Sequence, residues 1–268
     1  MLVRLVRRWQ PGREIVVVGD SAFAVVELGH TCRARGMRLI SRLVLNAQLY
    51  DPVPPRPAST PGVKPSKGPR QPKLSQRLTD SMTAWTKCEV AWYGQRPATI
   101  ELATGTALWH TDGSAPLPLR WVLVRNVPGH RPPLALFCTD PTMAAEHLVA
   151  QYVDRWHIET TFEEVRAHLG LGTQREWSTR AVGRTVPCLL GLFSVVVLLA
   201  QVLHPEHLPT RRTAWYAKSE ATFIDALAAV RRHLWASQNQ PPLDAAAGPA
   251  NSTPPTVDLL IEAACYAA

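Results

Sequence analysis

Paired cysteines are what this sequence most plainly lacks. Cys32, Cys88, Cys138, Cys188 and Cys265 are odd in number, far apart, and none belongs to a CxxC pair. That spacing argues against a disulfide framework and a structural zinc site, and reads as free thiols in a reducing cytoplasm. A secretory signal is also missing from the opening: Met1 to Trp9 sets Arg4, Arg7 and Arg8 among apolar residues, with no long apolar run. No internal repeat is visible. Long apolar runs are absent too, with one exception. Val186 to Leu203 is interrupted only by Pro187, Ser194 and Gln201, at the lower limit of a membrane span. A helix buried on all sides gives the same pattern, and no second span follows. A buried helix is therefore expected, and no membrane partner.

Acidic residues are outnumbered. There are 29 Lys and Arg against 21 Asp and Glu, a net charge of +8, and a pI near 9.6. Such a balance favours a polyanionic partner, because each cation that neutralises a phosphate releases condensed counterions. A basic but otherwise ordinary protein would have the same composition. With 268 residues, 46% of them apolar, the chain has enough material for one large domain or two modest ones.

Along the chain, Glu14 to Val18 is a β-branched run closed by Gly19-Asp20, and predicts a buried strand ending in a turn. Ser21 can cap a helix over Ala22 to Arg35, with Gly36 at its stop. Met37 to Leu45 returns to strand character, so the opening is strand, helix, strand, an α/β layer. Asp51 to Pro72 holds eight prolines and cannot run through a sheet or helix interior. It is also basic, with Lys64, Lys67, Arg70 and Lys73 and no acid between Asp51 and Asp80. It reads either as a solvated linker or as a flexible arm that follows a phosphate backbone. Trp85 to His110, Leu119 to Asn126 and Leu134 to Thr139 predict antiparallel strands, with Pro128-Gly129 as a turn. From Asp140 the pattern becomes helical: Met143 to His168 as one long helix or two short ones closed by Gly170 and Gly172, then Arg180 to Leu203 and Ala221 to Ser237. Gln238 to Pro255, rich in Pro and Ala, is expected to be disordered.

Two places could carry chemistry. Asp20 stands at the carboxyl end of a strand, where open α/β sheets place their sites, although an aspartate there could equally cap the next helix. The second place is the segment with Tyr152, Arg155, Glu159, Phe162 and Arg166, whose spacings of three, four, three and four put all five on one helical stripe. That stripe could be a surface laced with ion pairs. It could also be a site in which a carboxylate binds metal and arginines bind phosphate oxygens. Two-metal phosphoryl transfer needs convergent carboxylates, because hard cations such as magnesium prefer oxygen ligands.

The run Tyr152-Val-Asp-Arg155-Trp-His-Ile-Glu159, continued by six residues to Arg166, resembles the signature of DDE-type insertion-sequence transposases with an RNase H-like core: tyrosine, two residues, arginine, three residues, glutamate, six residues, lysine. Arg166 stands where lysine is usual, which keeps the charge but not the point-like geometry. Thr139-Asp140, His168-Leu-Gly-Leu-Gly and Thr173-Gln-Arg175 agree with the family, and Val17-Val-Gly-Asp20-Ser-Ala-Phe resembles the block holding its second catalytic aspartate. The resemblance spans about Arg13 to Leu203. It implies that Asp20 and Glu159 ligate magnesium or manganese, and that Tyr152, Arg155 and Arg166 contact double-stranded DNA at transposon ends. The reactions would be hydrolysis at those ends and strand transfer.

The family's first catalytic aspartate lies well upstream of the block that Asp20 matches. Only 19 residues precede Asp20 here, and none is aspartate. The resemblance thus implies the carboxyl-terminal part of a transposase, inactive alone, acting with itself or an intact transposase; the alternative is a catalytically silent DNA-binding remnant. The expected architecture is α/β: an incomplete RNase H-like core over 1–45, a mainly β insertion over 46–133 with its basic loop at 51–80, the rest of the core with the glutamate helix over 134–237, and a disordered tail over 238–268. The strand that ends at Asp20 would be left with an open apolar edge. The location would be cytoplasmic, at the nucleoid.

Overall fold

The computed structural model describes residues 2–55, 65–92, 97–127, 129, 131–173, 178–213, 216–238 and 255–267. The chain divides into two units, Met1–Trp156 and His157–Ala268.

In the first unit the elements run α1 (Leu2–Trp9), β1 (Val16–Val18), a single 3-10 turn (Ser21–Phe23), α2 (Val26–Arg33), β2 (Arg38–Leu43), β3 (Leu49–Tyr50), α3 (Leu74–Thr79), β4 (Thr86–Ala91), β5 (Pro97–Trp109), β6 (Leu117–Arg125), β7 (Leu134–Cys138) and α4 (Ala145–Asp154). The seven strands form one sheet in the order β1-β2-β7-β6-β5-β3, with β4 also paired to β5. β1 and β2 are parallel, with Val16 opposite Arg38 and Val18 opposite Ile40. Every other pairing in this sheet is antiparallel. The fold is mixed α/β, as the sequence predicts. The β-rich stretch between Leu45 and Leu134 continues the core sheet directly, because β7 pairs with both β2 and β6.

Coverage of both faces of the sheet explains why β7 and most of β6 read as near-continuous apolar runs. Leu39, Leu43, Leu119, Trp121, Leu123, Ala135 and Phe137 face α2 and α3, meeting Val26, Cys32 and Leu74. Ile40, Val122, Val124, Leu136 and Cys138 face α4, meeting Leu148, Val149 and Val153. Each fully buried leucine or phenylalanine here contributes roughly 1.5–3 kcal/mol.

The predicted helix 22–35 is shorter than expected and starts later. The carboxylate of Asp20, not Ser21, accepts the backbone N–H of Ala22, at 2.9 Å, and this local bond closes the 3-10 turn. Val25 is then extended, as suits a β-branched residue, and α2 begins at Val26. Gly36 ends the element with φ +61°, a conformation that disfavours any side chain.

The second unit holds α5 (His157–Leu169), α6 (Thr179–Leu203), a hairpin of β8 (Arg212–Thr213) and β9 (Tyr216–Ala217), α7 (Phe223–Gln238) and α8 (Pro255–Cys265). Its core is Val196, Ala200, Phe223, Ala226, Leu227 and Val230, with Phe193 stacked on Phe223 at 4.5 Å. Two expectations are corrected in this unit. The run 186–203 is not a helix buried on all sides. Only Val196 and Ala200 are buried in α6, while Leu192, Val195, Leu198, Leu199 and Val202 are exposed. The tail expected to be disordered contains α8, docked on α7: Arg231 donates to the carbonyl of Cys265 at 3.1 Å, and Arg232 pairs with Glu262 at 2.7 Å. Residues 239–254 lie outside the described residues.

Buried Asp225 fastens this unit. Its Oδ1 accepts from the Arg211 backbone at 3.1 Å and from the Tyr266 hydroxyl at 3.2 Å; Oδ2 accepts from the Thr222 backbone at 2.8 Å and from Lys218 Nζ. Burial alone would raise its carboxyl, but Lys218 and the backbone donors outweigh that and hold it below the ordinary value. Burial, then the neighbouring carboxylate, pushes the Tyr266 phenol up to about 12.

Candidate catalytic and nucleic-acid site

Asp20 follows β1 after Gly19, and the ladder carries on past the strand, with the Gly19 N–H donating to the Ile40 carbonyl at 2.9 Å. Ser41 Oγ donates to the Asp20 carbonyl at 2.5 Å. The side chain is exposed, and one of its oxygens holds the Ala22 N–H. Both sequence readings of Asp20 are thus compatible: it caps the turn, and its other oxygen remains open among the described residues.

Val16 and Val18 pack on the α4 face of the sheet, as does Ile40. Continuing that register brings Asp20 abreast of Arg42, at the carboxyl end of the parallel pair. Arg42 is exposed and forms no hydrogen bond or ion pair with a described residue. A cavity of about 330 Å³ lies beside it, lined by Ser21, Arg42, Leu43, Val44, Leu45, Pro133, Leu134 and Ala135. Arg42 is a candidate that the sequence reading missed. The signal was available in the alternation Ile40-Ser41-Arg42-Leu43, where a cation breaks the apolar face of a buried strand.

Asp140 stands at the other end of the sheet. Cys138 pairs with Ile40 in the antiparallel register, so Asp140 comes beside Arg38, whose Nε is 2.8 Å away. Thr142 donates to it through both hydroxyl and backbone, and these bonds, with Arg38, hold its carboxyl below the usual value. Asp140 is a structural acid and does not join Asp20.

The stripe expected on one helix is divided between two. α4 ends at Asp154; Arg155 and Trp156 make the turn, and α5 begins at His157. Tyr152 is buried in the α4 face of the core, and the Arg155 guanidinium lies 6.0 Å from its ring centroid. Glu159 is half-buried in the first turn of α5, where the helix dipole favours a carboxylate, and Arg166 is exposed near its end. Asp20, Tyr152 and Arg155 thus belong to the first unit, and Glu159 and Arg166 to the second.

The described half of the basic loop is not a loose arm. Asp51 and Leu49 bond to Gly68, Pro69 and Gln71 through the backbone, and Tyr50 bridges to Arg70. Lys67 is held over the Tyr50 ring at 4.2 Å and bonds His110 at 3.0 Å, so its charge is engaged within the protein. Arg70 and Lys73 are exposed along this edge, and Lys73 caps the start of α3, its N–H donating to Gln76. Lys64 lies outside the described residues.

A family model for the transposase DDE domain matches residues 1–182. The chain belongs to the DDE transposase family. No curated protein matches it. The family acts on DNA with a divalent metal, and the seven-stranded mixed sheet with its helices agrees with an RNase H-like DDE domain. The matched segment contains Asp20, Arg42, Glu159 and Arg166, and ends at the start of α6. Among the described residues of this DDE domain, no three His, Cys, Asp or Glu side chains are grouped to hold a metal ion. Asp20, capping the turn just beyond β1, supplies one open carboxylate oxygen, which suits a hard cation as part of a larger oxygen donor set.

Proposed function

We propose that this protein carries two of the three carboxylates of a DDE transposase site, Asp20 and Glu159, and that it cleaves and joins DNA at transposon ends when a third carboxylate is supplied from outside residues 1–268. The reading rests on one observation: within a chain of this family, an exposed aspartate lies two residues beyond a parallel strand, at the same end of the sheet as the exposed, uncommitted Arg42. Magnesium or manganese, when bound, would activate the attacking oxygen and stabilise the leaving one. Asp20 and Glu159 would hold it, and Arg42, Arg155 and Arg166 would bind phosphate oxygens. Tyr152, buried beneath Arg155, would act by positioning that arginine. Work on DNA would place the protein in the cytoplasm, at the nucleoid.

The point of entry for the third carboxylate is suggested by the backbone of β1. The carbonyl of Ile15 and the N–H of Gly19 both point to β2, so the odd-numbered residues face that strand. Val16 and Val18 therefore present their N–H and C=O groups to the opposite edge, where no described strand pairs. A strand adding there would lie beside Asp20.

The test is a duplex bearing candidate element ends, incubated with the full chain and Mg2+ or Mn2+. Salt-dependent binding without cleavage is expected. Vigorous metal-dependent nicking that disappears in Glu159→Gln would overturn the need for a third carboxylate. A second reading, a DNA-binding remnant without catalysis, is favoured by the exposed cations Arg70, Lys73 and Arg166. Mn2+ binding that depends on both Asp20 and Glu159 would count against it.

A further inference from the structure

We propose that Ser41 is the positioning residue for Asp20, fixing the backbone from which that carboxylate reaches a metal ion; the inference rests on the reading of Asp20 as a metal ligand. Among the described residues, the buried polar side chains are Ser41, Thr139 and Asp225. Two of these have structural work: Thr139 Oγ1 accepts the Leu39 N–H at 2.9 Å, and Asp225 fastens the second unit. Ser41 alternates with Leu39 and Leu43 on the face of β2 that meets α2 and α3. A valine or leucine there would bury more apolar surface, so a hydroxyl in that line forgoes stability. What it gains is one hydrogen bond. Ser41 Oγ donates to the backbone carbonyl of Asp20 at 2.5 Å.

That bond falls where the sheet stops holding the chain. β1 ends at Val18, and the Gly19 N–H still reaches the Ile40 carbonyl. The chain then leaves the sheet in the 3-10 turn, whose own bonds are internal. Asp20 Oδ1 accepts the Ala22 N–H, the Asp20 carbonyl accepts the Phe23 N–H at 3.1 Å, and the Ser21 carbonyl accepts the Ala24 N–H at 3.2 Å. Among the described residues, the Ser41 hydroxyl makes the one hydrogen bond that leads from residues 20–25 back to the sheet. Its own base is firm: Ile40, Ser41, Arg42 and Leu43 pair with Cys138, Phe137, Leu136 and Ala135 of β7. The peptide groups on both sides of the Asp20 Cα are therefore tied to β2, one through Gly19 and one through Ser41. A ligand held this way presents its open oxygen at a fixed place, and partners that orient a ligand in this manner are worth roughly tenfold to hundredfold in metal affinity.

A double-mutant cycle between Ser41→Ala and Asp20→Asn tests this, with Mn2+ affinity of the full chain read by water-proton relaxation in the presence of duplex DNA. Ser41→Ala should fold, because the Asp20 carbonyl keeps the Phe23 N–H and no buried acceptor is orphaned. It should bind Mn2+ about tenfold more weakly than the wild type. Ser41→Thr, which keeps the hydroxyl, should bind as the wild type does. In the Asp20→Asn background, Ser41→Ala should change nothing further, since the serine acts through that carboxylate; a merely structural role would lower both backgrounds alike and would overturn the proposal. If Ser41→Ala binds Mn2+ at full affinity while Asp20→Asn does not, the role of Ser41 is wrong and the metal reading of Asp20 stands. Full binding by Asp20→Asn, or none by the wild type, overturns the metal reading and the role of Ser41 with it. Should Ser41→Thr fail to fold, amide exchange in Ser41→Ala decides: exchange at Ala22 and Phe23 should quicken about fivefold, as fits one lost hydrogen bond, and unchanged exchange there refutes the anchoring.

Discussion

Asp20 is proposed to serve two purposes, and two substitutions separate them. Asparagine keeps a side-chain oxygen where Oδ1 accepts the Ala22 N–H at 2.9 Å, so Asp20→Asn should retain the 3-10 turn while removing the charge. Asparagine and aspartate are near-equal caps, and the stability change should stay within about 0.5 kcal/mol. Alanine removes the acceptor and exposes the Ala22 N–H to water, which should cost about 1 kcal/mol, a fall of roughly 2–4 °C in Tm for a protein of this size. Metal affinity should follow a different order. Both variants lack the anionic oxygen, so both should weaken Mn2+ binding at least tenfold, measured by water-proton relaxation in the presence of duplex DNA. Thermal unfolding ranks wild type and Asp20→Asn together above Asp20→Ala; relaxation ranks wild type above both variants. If Asp20→Asn binds Mn2+ as the wild type does, Asp20 is a cap and nothing more, and the metal role assigned to it is wrong.

Three further outcomes are expected. Arg42→Ala should weaken duplex binding evenly across sequences and reduce the slope of log affinity against log salt by about one, as fits one lost phosphate contact; an unchanged slope would remove Arg42 from the DNA-binding surface. Asp225→Ala should cost about 3 kcal/mol, because it leaves the largely buried Lys218 charge without its anionic partner. Since the Asp225 carboxyl is held below its ordinary value, its contribution is complete above about pH 4 and fades as the pH drops further; a urea-midpoint gap between wild type and variant that persists undiminished at pH 2.5 would contradict this. Tyr266→Phe should cost about 1 kcal/mol through the lost bond to Asp225. In the wild type, the raised phenol predicts stability that declines as pH rises from 10 through about 12, a decline that should be absent in the variant.

Much of the fold was legible because burial writes itself into alternation. The runs at 14–18, 37–45, 119–126 and 134–139 each became a strand within a few residues of the expected ends, since β-branched and apolar residues concentrate where a strand is covered by the core. Gly36 marked its stop for the same local reason. The misses lie where tertiary context decides. The start of α2 moved to Val26 because a carboxylate captured the Ala22 N–H, a competition invisible to helix periodicity. The stripe from Tyr152 to Arg166 has perfect helical spacing, yet the chain turns at Arg155 and Trp156; spacing alone cannot register a break that adds no Gly or Pro. The Pro-rich loop read as linker or arm because backbone bonds from Leu49 and Asp51 to Gly68, Pro69 and Gln71 leave no trace in composition. In α6 the apolar count was read correctly and its burial was not, because a count does not say which neighbour covers each face.

The two arginines of β2 show why charge in sequence underdetermines a site. Arg38 and Arg42 stand four residues apart on the same face of one strand, and nothing in their local sequence ranks one above the other. Pairing decides. Arg38 meets Glu14 and Asp140 at the amino end of the strand, so its charge is neutralised within the fold, and removing it would act on packing. Arg42 reaches the carboxyl end beside Asp20 and meets no described acid. Asp20, abreast of it, leaves one oxygen open. Exposed Arg42 does little for stability, since even a paired surface charge contributes about 0–1 kcal/mol. The separate availability of Asp20 and Arg42 is what a reaction on a phosphodiester requires: the carboxylate is free to hold a cation and the guanidinium to take the phosphate oxygens. Arg42→Ala and Arg38→Ala should accordingly diverge, the first changing DNA affinity with stability intact and the second changing stability with the salt slope intact. Equal effects of the two on duplex binding would mean that the open end of β2 is an ordinary surface.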